Sequence, residues 1–495
     1  LVYPAGGDEV DITLQDYFVR VCMACITGDA SGSASDDLNT RVSKLHRYAL
    51  TVLHHFLISH HATPLADLHL DQVLIDRLFK SIGSPDPYVQ VLLLDVLFDT
   101  LKLQDAVAAA ELSIPSTAEK RRSSADPLHA VRLSMSTGDT RPPPMAMPPQ
   151  LLKCLQAGLS STNSQFVLDS WVSFLSRCLP FYSQSIFQIL IPLVETLCKQ
   201  IGVTFSHLKS MFQDDTYEVK NEAATPESTL IYLLNALEQV LAKAHDQLLA
   251  EEAQALALKG PDQPQSLFGS MVSGVFQSDA PQSRSATAND RLTVHLAFQD
   301  AVRMCFSIWT WGQGENATTQ DINSSASFNY TSLRMRNRAR RLLEHLFTAE
   351  TLESLETVID VWRNSTSAAE HAMVFNFLAA LDAARPRHSM PALFNSIYSR
   401  TNPAALEPSR KSTMTISLQD ADLVVFLVEY ARSLDDDAMD EIWQDCITFL
   451  KDLLNNPFPH RQTLPSLLEF AAILGEKVDN TNFGEQRKMR RELGV

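Results

Sequence analysis

Cys22 and Cys25 stand two residues apart, a spacing used both by zinc sites and by thiol–disulfide exchange. Zinc needs four ligands and a redox pair opens a helix in a thioredoxin-like setting; the flanking sequence offers neither. Both cysteines fall within a helical apolar pattern and are expected as core positions. His54-His55 and His60-His61 are the other ligand-type pairs. Without an H-E-x-x-H or a carboxylate at helical spacing, they are read as polar or interfacial helix positions. The run Gly269-Ser270-Met271-Val272-Ser273-Gly274 lacks the spacing and the preceding strand of a nucleophile elbow. Gly312-Gln313-Gly314 lacks the third glycine of a dinucleotide loop, and no G-x-x-x-x-G-K-[ST] occurs. Asp435-Asp436-Asp437 has the charge for a divalent cation without calcium-loop spacing, and a helix N-terminus explains it. No catalytic residue, cofactor or metal is expected, and the chain reads as non-enzymatic.

The charge feature above background is Arg334-Met335-Arg336-Asn337-Arg338-Ala339-Arg340-Arg341, five arginines in eight residues. It stands in a chain with 41 Lys+Arg against 58 Asp+Glu, a net charge of −17. Such a balance argues against a nucleic-acid partner, which requires a basic field. Arg334, Arg336, Arg338, Arg340 and Arg341 are therefore a candidate local patch for an anionic lipid, such as a phosphoinositide head group, or for an acidic partner segment. The competing expectation is a solvated helix face paired with Glu344, four residues beyond Arg340, and with acids of neighbouring helices. Arg487, Lys488, Arg490 and Arg491 form a weaker cluster, and Lys120-Arg121-Arg122 before Ser123-Ser124 reads as a regulated linker.

These residues are to be positioned by helices. Apolar residues are 45% of the 495, glycines number only 16, and seven cysteines scattered over the chain make no disulfide framework. No signal-like segment and no uninterrupted apolar run of about 18 residues is seen, so a cytosolic setting is expected. The four N-x-S/T sequons, at Asn316, Asn323, Asn329 and Asn364, are short patterns without a secretory route. With Leu1 in place of Met, the sequence is expected to be a piece of something larger.

Period-3.6 stripes predict helices over 10–29 and 38–61. Ser84-Pro85-Asp86-Pro87 then supplies a turn, with Asp86 as N-cap and Pro87 in the first helical position. The run Val89 to Leu103, apolar on most sides, predicts a helix buried between neighbours. Pro192 is expected to kink or split the helix around Ile186 to Leu197. Thr225-Pro226-Glu227 repeats the cap logic, and Ser417 with Asp420 reads as a capping box. Further helices are predicted at 291–311, 331–348, 351–363, 369–383, 391–399, 417–432, 436–455, 464–476 and 483–493. The five tryptophans, Trp171, Trp309, Trp311, Trp362 and Trp443, are expected to pack between helices. The whole predicts an all-α, HEAT/armadillo-like α-solenoid of antiparallel helix pairs with long loops. Helical repeats occupy 1–109, 150–259, 291–399 and 417–495, separated by a linker at 110–149 and loops at 260–290 and 400–416. The second loop carries an apolar island at 267–276.

Three stretches carry a family resemblance: Asp86-Pro87-Tyr88-Val89-Gln90-Val91-Leu92-Leu93-Leu94-Asp95, Ala297-Phe298-Gln299-Asp300-Ala301-Val302-Arg303 with Ile308-Trp309, and Asn482-Phe483-Gly484-Glu485-Gln486-Arg487-Lys488-Met489-Arg490-Arg491-Glu492. The sequence resembles an internal or C-terminal-half part of a fungal Dopey-family protein. The resemblance implies a very large helical-repeat scaffold without catalysis, peripheral on the cytoplasmic face of Golgi, trans-Golgi-network and endosomal membranes. It implies as partners a scaffold related to the large Arf exchange factors and a P4-type phospholipid flippase, in endosome-to-Golgi retrieval. Some members are also linked to phosphatidylinositol 4-phosphate and kinesin-dependent transport. The alternative resemblance is to a regulatory helical segment of a large Arf guanine-nucleotide exchange factor. No family site residue maps onto this sequence.

Overall fold

The computed structural model describes residues 13–28, 36–113, 147–213, 225–258, 286–313 and 322–480, with 489, 491, 492 and 494. All regular structure among them is helical. The chain divides into two units, Leu1–Ile189 and Leu190–Val495. Outside the described residues lie the apolar island at 267–276, Lys120-Arg121-Arg122 with Ser123-Ser124, and Arg487, Lys488 and Arg490 of the second basic cluster.

The first unit contains α1 (Leu14–Thr27), α2 (Asp36–Leu57), α3 (Leu70–Ser81), α4 (Pro87–Ser113), α5 (Pro149–Ser160) and α6 (Leu168–Cys178). Helix α4 opens as its sequence predicts, with the Tyr88 amide donating to Asp86 Oδ1 at 3.2 Å. It packs on α2, α3 and α6, which explains why its apolar residues surround the helix. Leu93, Val96 and Leu97 of α4 are fully buried, as are Leu50 and Leu53 of α2 and Leu74 and Leu78 of α3. Gln90, also fully buried, accepts from Trp171 Nε1 and from Ser164 Oγ, each at 2.9 Å, joining α4 to α6.

The second unit takes in most of α7 (Ile186–Gln213), then α8 (Pro226–Leu258), α9 (Ala286–Trp309), α10 (Ile322–Ala349), α11 (Thr351–Asn364), α12 (Ala368–Ala380), α13 (Pro386–Thr401), α14 (Asp420–Ser433), α15 (Met439–Asn455) and α16 (Leu464–Asn480). Packing follows chain order: α9 meets α8, α10 and α11, α13 meets α11, α14 and α15, and α14 meets α16. Neighbour-on-neighbour packing of helix pairs is the solenoid pattern within each unit. All five tryptophans are buried, Trp362 edge-on to Phe426 at 5.2 Å and Trp311 edge-on to Phe205 at 5.5 Å.

Several local expectations are corrected. Pro192 lies within a continuous α7 and does not split it. One lost N–H costs about 3 kcal/mol in a helix interior, whereas each fully buried leucine contributes about 1.5–3 kcal/mol. Leu190, Leu193, Leu197 and Ile201 are all fully buried. The stretch Ser183–Phe212 is long and apolar enough to cross a membrane by length and composition, but Gln188, Glu195 and Lys199 interrupt its apolar run and part of it is buried, as in a core helix. The capping box of α14 is formed by Gln419 and Asp422, whose carboxylate accepts the Gln419 amide at 2.9 Å, rather than by Ser417 and Asp420. Helix α13 begins at Pro386 and carries Pro391 inside it.

Candidate functional site

Helix α10 places Arg334, Arg338 and Arg341 at i, i+4 and i+7, on one face, while Arg336 lies about 200° around from Arg334. Beside that face is a groove of about 860 Å³ lined by Arg334, Arg338, Arg340 and Arg341, with Ile231 of α8 and Tyr330 and Leu333 of α10. Tyr330 and Leu333 are solvent-exposed. Arg336 is not part of it.

Much of the positive charge is answered locally. Arg334 pairs with Glu227 and Arg338 with Glu238, both from α8, and Arg338 Nε also donates to Asn235 Oδ1 at 2.8 Å. Arg340 lies 3.6 Å from Glu344, the i+4 partner expected, and 4.0 Å from Asp382. Glu344 is itself held by the amides of Asp382 and Ala383, each at 2.9 Å. Arg336 and Arg341 have no ion pair among the described residues. Arg341 is exposed, so it is an unpaired cation that the groove presents to solvent, beside the exposed but paired Arg334.

A second polar centre, which the sequence did not reveal, lies under the segment 403–416. That segment, within the loop expected at 400–416, forms a strap with two 3₁₀ turns, Pro403–Ala405 and Pro408–Arg410, and an irregular run in which Met414 has a φ of 51°. Glu353 Oε1 accepts the Thr413 amide at 2.7 Å and its hydroxyl at 2.9 Å, and faces His295 Nδ1 at 3.3 Å. Glu350 Oε1 lies 3.5 Å from His295 Nε2 and 3.4 Å from His245 Nε2. Fully buried Glu356 takes Arg400 at 2.8 Å, Ser396 Oγ at 2.5 Å and Ser412 Oγ at 2.9 Å. Burial, the largest influence on His295, pulls its pKa down, but the two carboxylates outweigh it and raise the group to about 9. Burial likewise pushes Glu350 up, and hydrogen bonds from His245 and His295 reverse that, to about 2. Most of these charges are paired with one another, while Glu353 Oε2 and Arg400 Nη2 are buried without a hydrogen-bond partner among the described residues, and the centre acts as a structural clasp.

Of the remaining sequence candidates, Cys25, expected in the core, is only half-buried, and His55, His60 and His61 are exposed. Cys22 is buried in α1, and burial raises its thiol pKa, with Cys25 adding to the effect. Burial drives Cys154, Cys178 and Cys198 up to about 12, far from nucleophilic thiolates. His54 does have a carboxylate, but from another helix: Asp99 Oδ2 of α4 lies 2.6 Å from its Nδ1. Asp436 pairs with Lys477 of α16 at 3.2 Å. No group of three or more His, Cys, Asp or Glu side chains is placed to hold a metal ion among the described residues.

Comparison with known proteins gives a consistent result. The family model described as "DOP1 TPR domain" matches residues 69–244, and "DOP1 C-terminal" matches residues 426–494. TPR repeats are helix–turn–helix units, the same kind of architecture as the helix pairs above. The chain is 48% identical over 492 residues to Protein dop1 of Emericella nidulans, covering 97% of this chain and 26% of that protein. It is 26% identical over 354 residues to Protein DOP1 of Saccharomyces cerevisiae, covering 68% of this chain and 20% of that one. Among solved structures, a circular tandem repeat protein with novel repeat topology is similar over 97% of this chain and 94% of its own, at 12% identity and a TM-score of 0.29. The protein is an all-α helical-repeat protein. The chain belongs to the fungal Dopey family and spans about a quarter or less of the length of the curated relatives it matches.

Proposed function

We propose that this chain is a non-catalytic, partner-binding segment of a membrane-traffic scaffold acting between endosomes and Golgi. The observation that carries the reading is the 48% identity to Protein dop1 of Emericella nidulans along 97% of the chain. A helical-repeat surface suits the role, because it offers extended faces for macromolecular partners without a pocket for a small substrate. On this reading the parent protein is peripheral on the cytoplasmic face of Golgi, trans-Golgi-network and endosomal membranes. Its partners are a scaffold related to the large Arf exchange factors and a P4-type flippase. Family membership removes the support for the exchange-factor-segment alternative. The α10 patch, with Arg341 and Arg336 free of ion pairs among the described residues, is proposed to touch an anionic, phosphoinositide-bearing membrane surface.

Affinity purification of the full-length parent from gently solubilised Golgi and endosomal membranes, followed by mass spectrometry, tests the scaffold role. Recovery of a P4-type flippase with the exchange-factor-related scaffold is expected; recovery of neither, with Arf-cycle components in their place, would sink it. For the patch, Gln at Arg334, Arg336, Arg338, Arg340 and Arg341 is expected to weaken flotation with acidic liposomes. Unchanged flotation would remove the patch from the proposal.

A further inference from the structure

The first unit contains a groove whose sign opposes that of the chain. It runs between α2 and the turn joining α3 to α4, with a volume of about 1010 Å³. Lys44 and Arg47 line it from α2, Arg77 and Lys80 from α3, and the single carboxylate in the lining is Asp86. Four cations against one acid stand out in a protein of net charge −17. Lys44 and Lys80 are exposed, and neither has an ion pair among the described residues.

The lone acid is already engaged. Asp86 accepts Arg47 Nε at 2.9 Å and Arg47 Nη2 at 2.5 Å, takes a hydrogen bond from Ser43, and caps α4 through the Tyr88 amide. Its carboxylate therefore positions Arg47 and leaves little negative charge to answer the lysines. The Arg47 guanidinium sits 5.1 Å from the Tyr88 ring centroid, and Tyr88 is 62% exposed, an aromatic edge on the groove rim. Arg77 Nη2 is fixed against His46 Nδ1 at 3.2 Å. Cations clamped in advance bind an anion with less ordering cost than free side chains do.

We infer that this groove is a docking site for an acidic peptide segment of a protein partner, with carboxylates meeting Lys44 and Lys80 and an apolar side chain packing on Tyr88. Shape selects the peptide over a lipid bilayer. The cations face each other across a concavity, where an extended chain lies between them, whereas a membrane is met by a convex or flat surface. The site is separate from the α10 patch and does not depend on the scaffold reading.

The test uses the full 495-residue chain and a fluorescein-labelled octaglutamate peptide, read by anisotropy at low and at physiological salt. The double variant Lys44→Glu/Lys80→Glu is expected to lose about tenfold or more in affinity. The control Lys102→Glu/Lys451→Glu carries the same change of net charge on exposed helix positions elsewhere and is expected to bind as wild type does. Circular dichroism of both variants checks that they remain helical. Equal losses in the two variants would reduce the effect to net charge and overturn the site. So would absence of wild-type peptide binding. Vesicles of phosphatidylcholine with phosphatidylserine form the third arm: if the groove variant lost vesicle flotation while keeping peptide binding, the groove would be a lipid site and the inference would fall.

Discussion

The indole ring of Trp171 lies directly against the backbone of Gly158: a Cβ there would sit 2.4 Å from ring carbons Cη2 and Cζ3. Helix α5 thus approaches α6 over a bare Cα, and Trp171, fully buried, fills the space a side chain would need. Gly158→Ala is expected to destabilise the chain by about 1–3 kcal/mol through overpacking, despite alanine's better helix propensity. Gly202, in α7, meets only Met304 Cε at an ordinary 3.5 Å. Gly202→Ala is therefore expected to stabilise by about 0.5–1 kcal/mol. Denaturant midpoints moving in opposite directions would bear this out; a shift of the same sign in both would refute it.

The clasp at Glu353 predicts a pH dependence. His295 has its pKa raised from an ordinary 6.5 to about 9, so its contribution is complete below 6.5 and is lost as pH rises through 9. Glu350 has its pKa lowered from 4.5 to about 2, so its contribution is complete above 4.5 and is lost as pH falls towards 2. Between pH 7 and 9 the melting temperature of the wild type is expected to fall more steeply than that of His295→Gln. Parallel profiles would show that His295 is not the titrating group.

Glu356 tests the strap. Replacing it by Ala strands Arg400, 10% exposed, without its carboxylate and deprives Ser412 of its acceptor. Breaking a buried ion pair from one side costs about 3–5 kcal/mol. Trypsin cleavage after Arg410 and Lys411 is expected to accelerate well before global unfolding, and an unchanged cleavage rate would mean that the strap is held elsewhere.

Gln90 of α4 holds both Ser164 and, in α6, Trp171 through one side chain. Gln90→Leu keeps the volume close but leaves Trp171 Nε1 and Ser164 Oγ without their acceptor, at about 1–3 kcal/mol for each buried group. The expected readout is a lower denaturant midpoint with unchanged helical content; a midpoint equal to that of the wild type would remove Gln90 as the junction.

The helices were legible because their signals are local. Asp86 and Thr225 cap α4 and α8 through amides two and three residues on. The apolar stripes locate helices but not every buried face: in α1, Leu14, Tyr17, Phe18 and Val21 are exposed while Val19, Cys22 and Ile26 are buried. Five arginines within eight residues were equally visible, and the Arg340–Glu344 pair follows from helical spacing alone. That acids of a neighbouring helix pair with Arg334 and Arg338 was expected, but their identity was not visible, since Glu227 and Glu238 lie about a hundred residues earlier in the chain. The strap and the His54–Asp99 pair escaped for the same reason: their partners meet through tertiary packing, which no short-range pattern records. Pro192 does not split α7 because its local penalty is outweighed by burial along the rest of the helix.

The packing of each helix on its immediate and next neighbours also bears on how the chain is made. In the first unit α1 packs on α2 and α3 on α4 a short stretch of sequence away, whereas α5 and α6 reach back about 80 residues to α3 and α4. Local contacts close quickly, and nascent domains fold as units from the N-terminus while synthesis continues. Hairpins such as α3–α4 can bury their leucines as soon as the second helix has left the ribosome. A very long polypeptide built this way never has to keep its whole apolar surface exposed at one time.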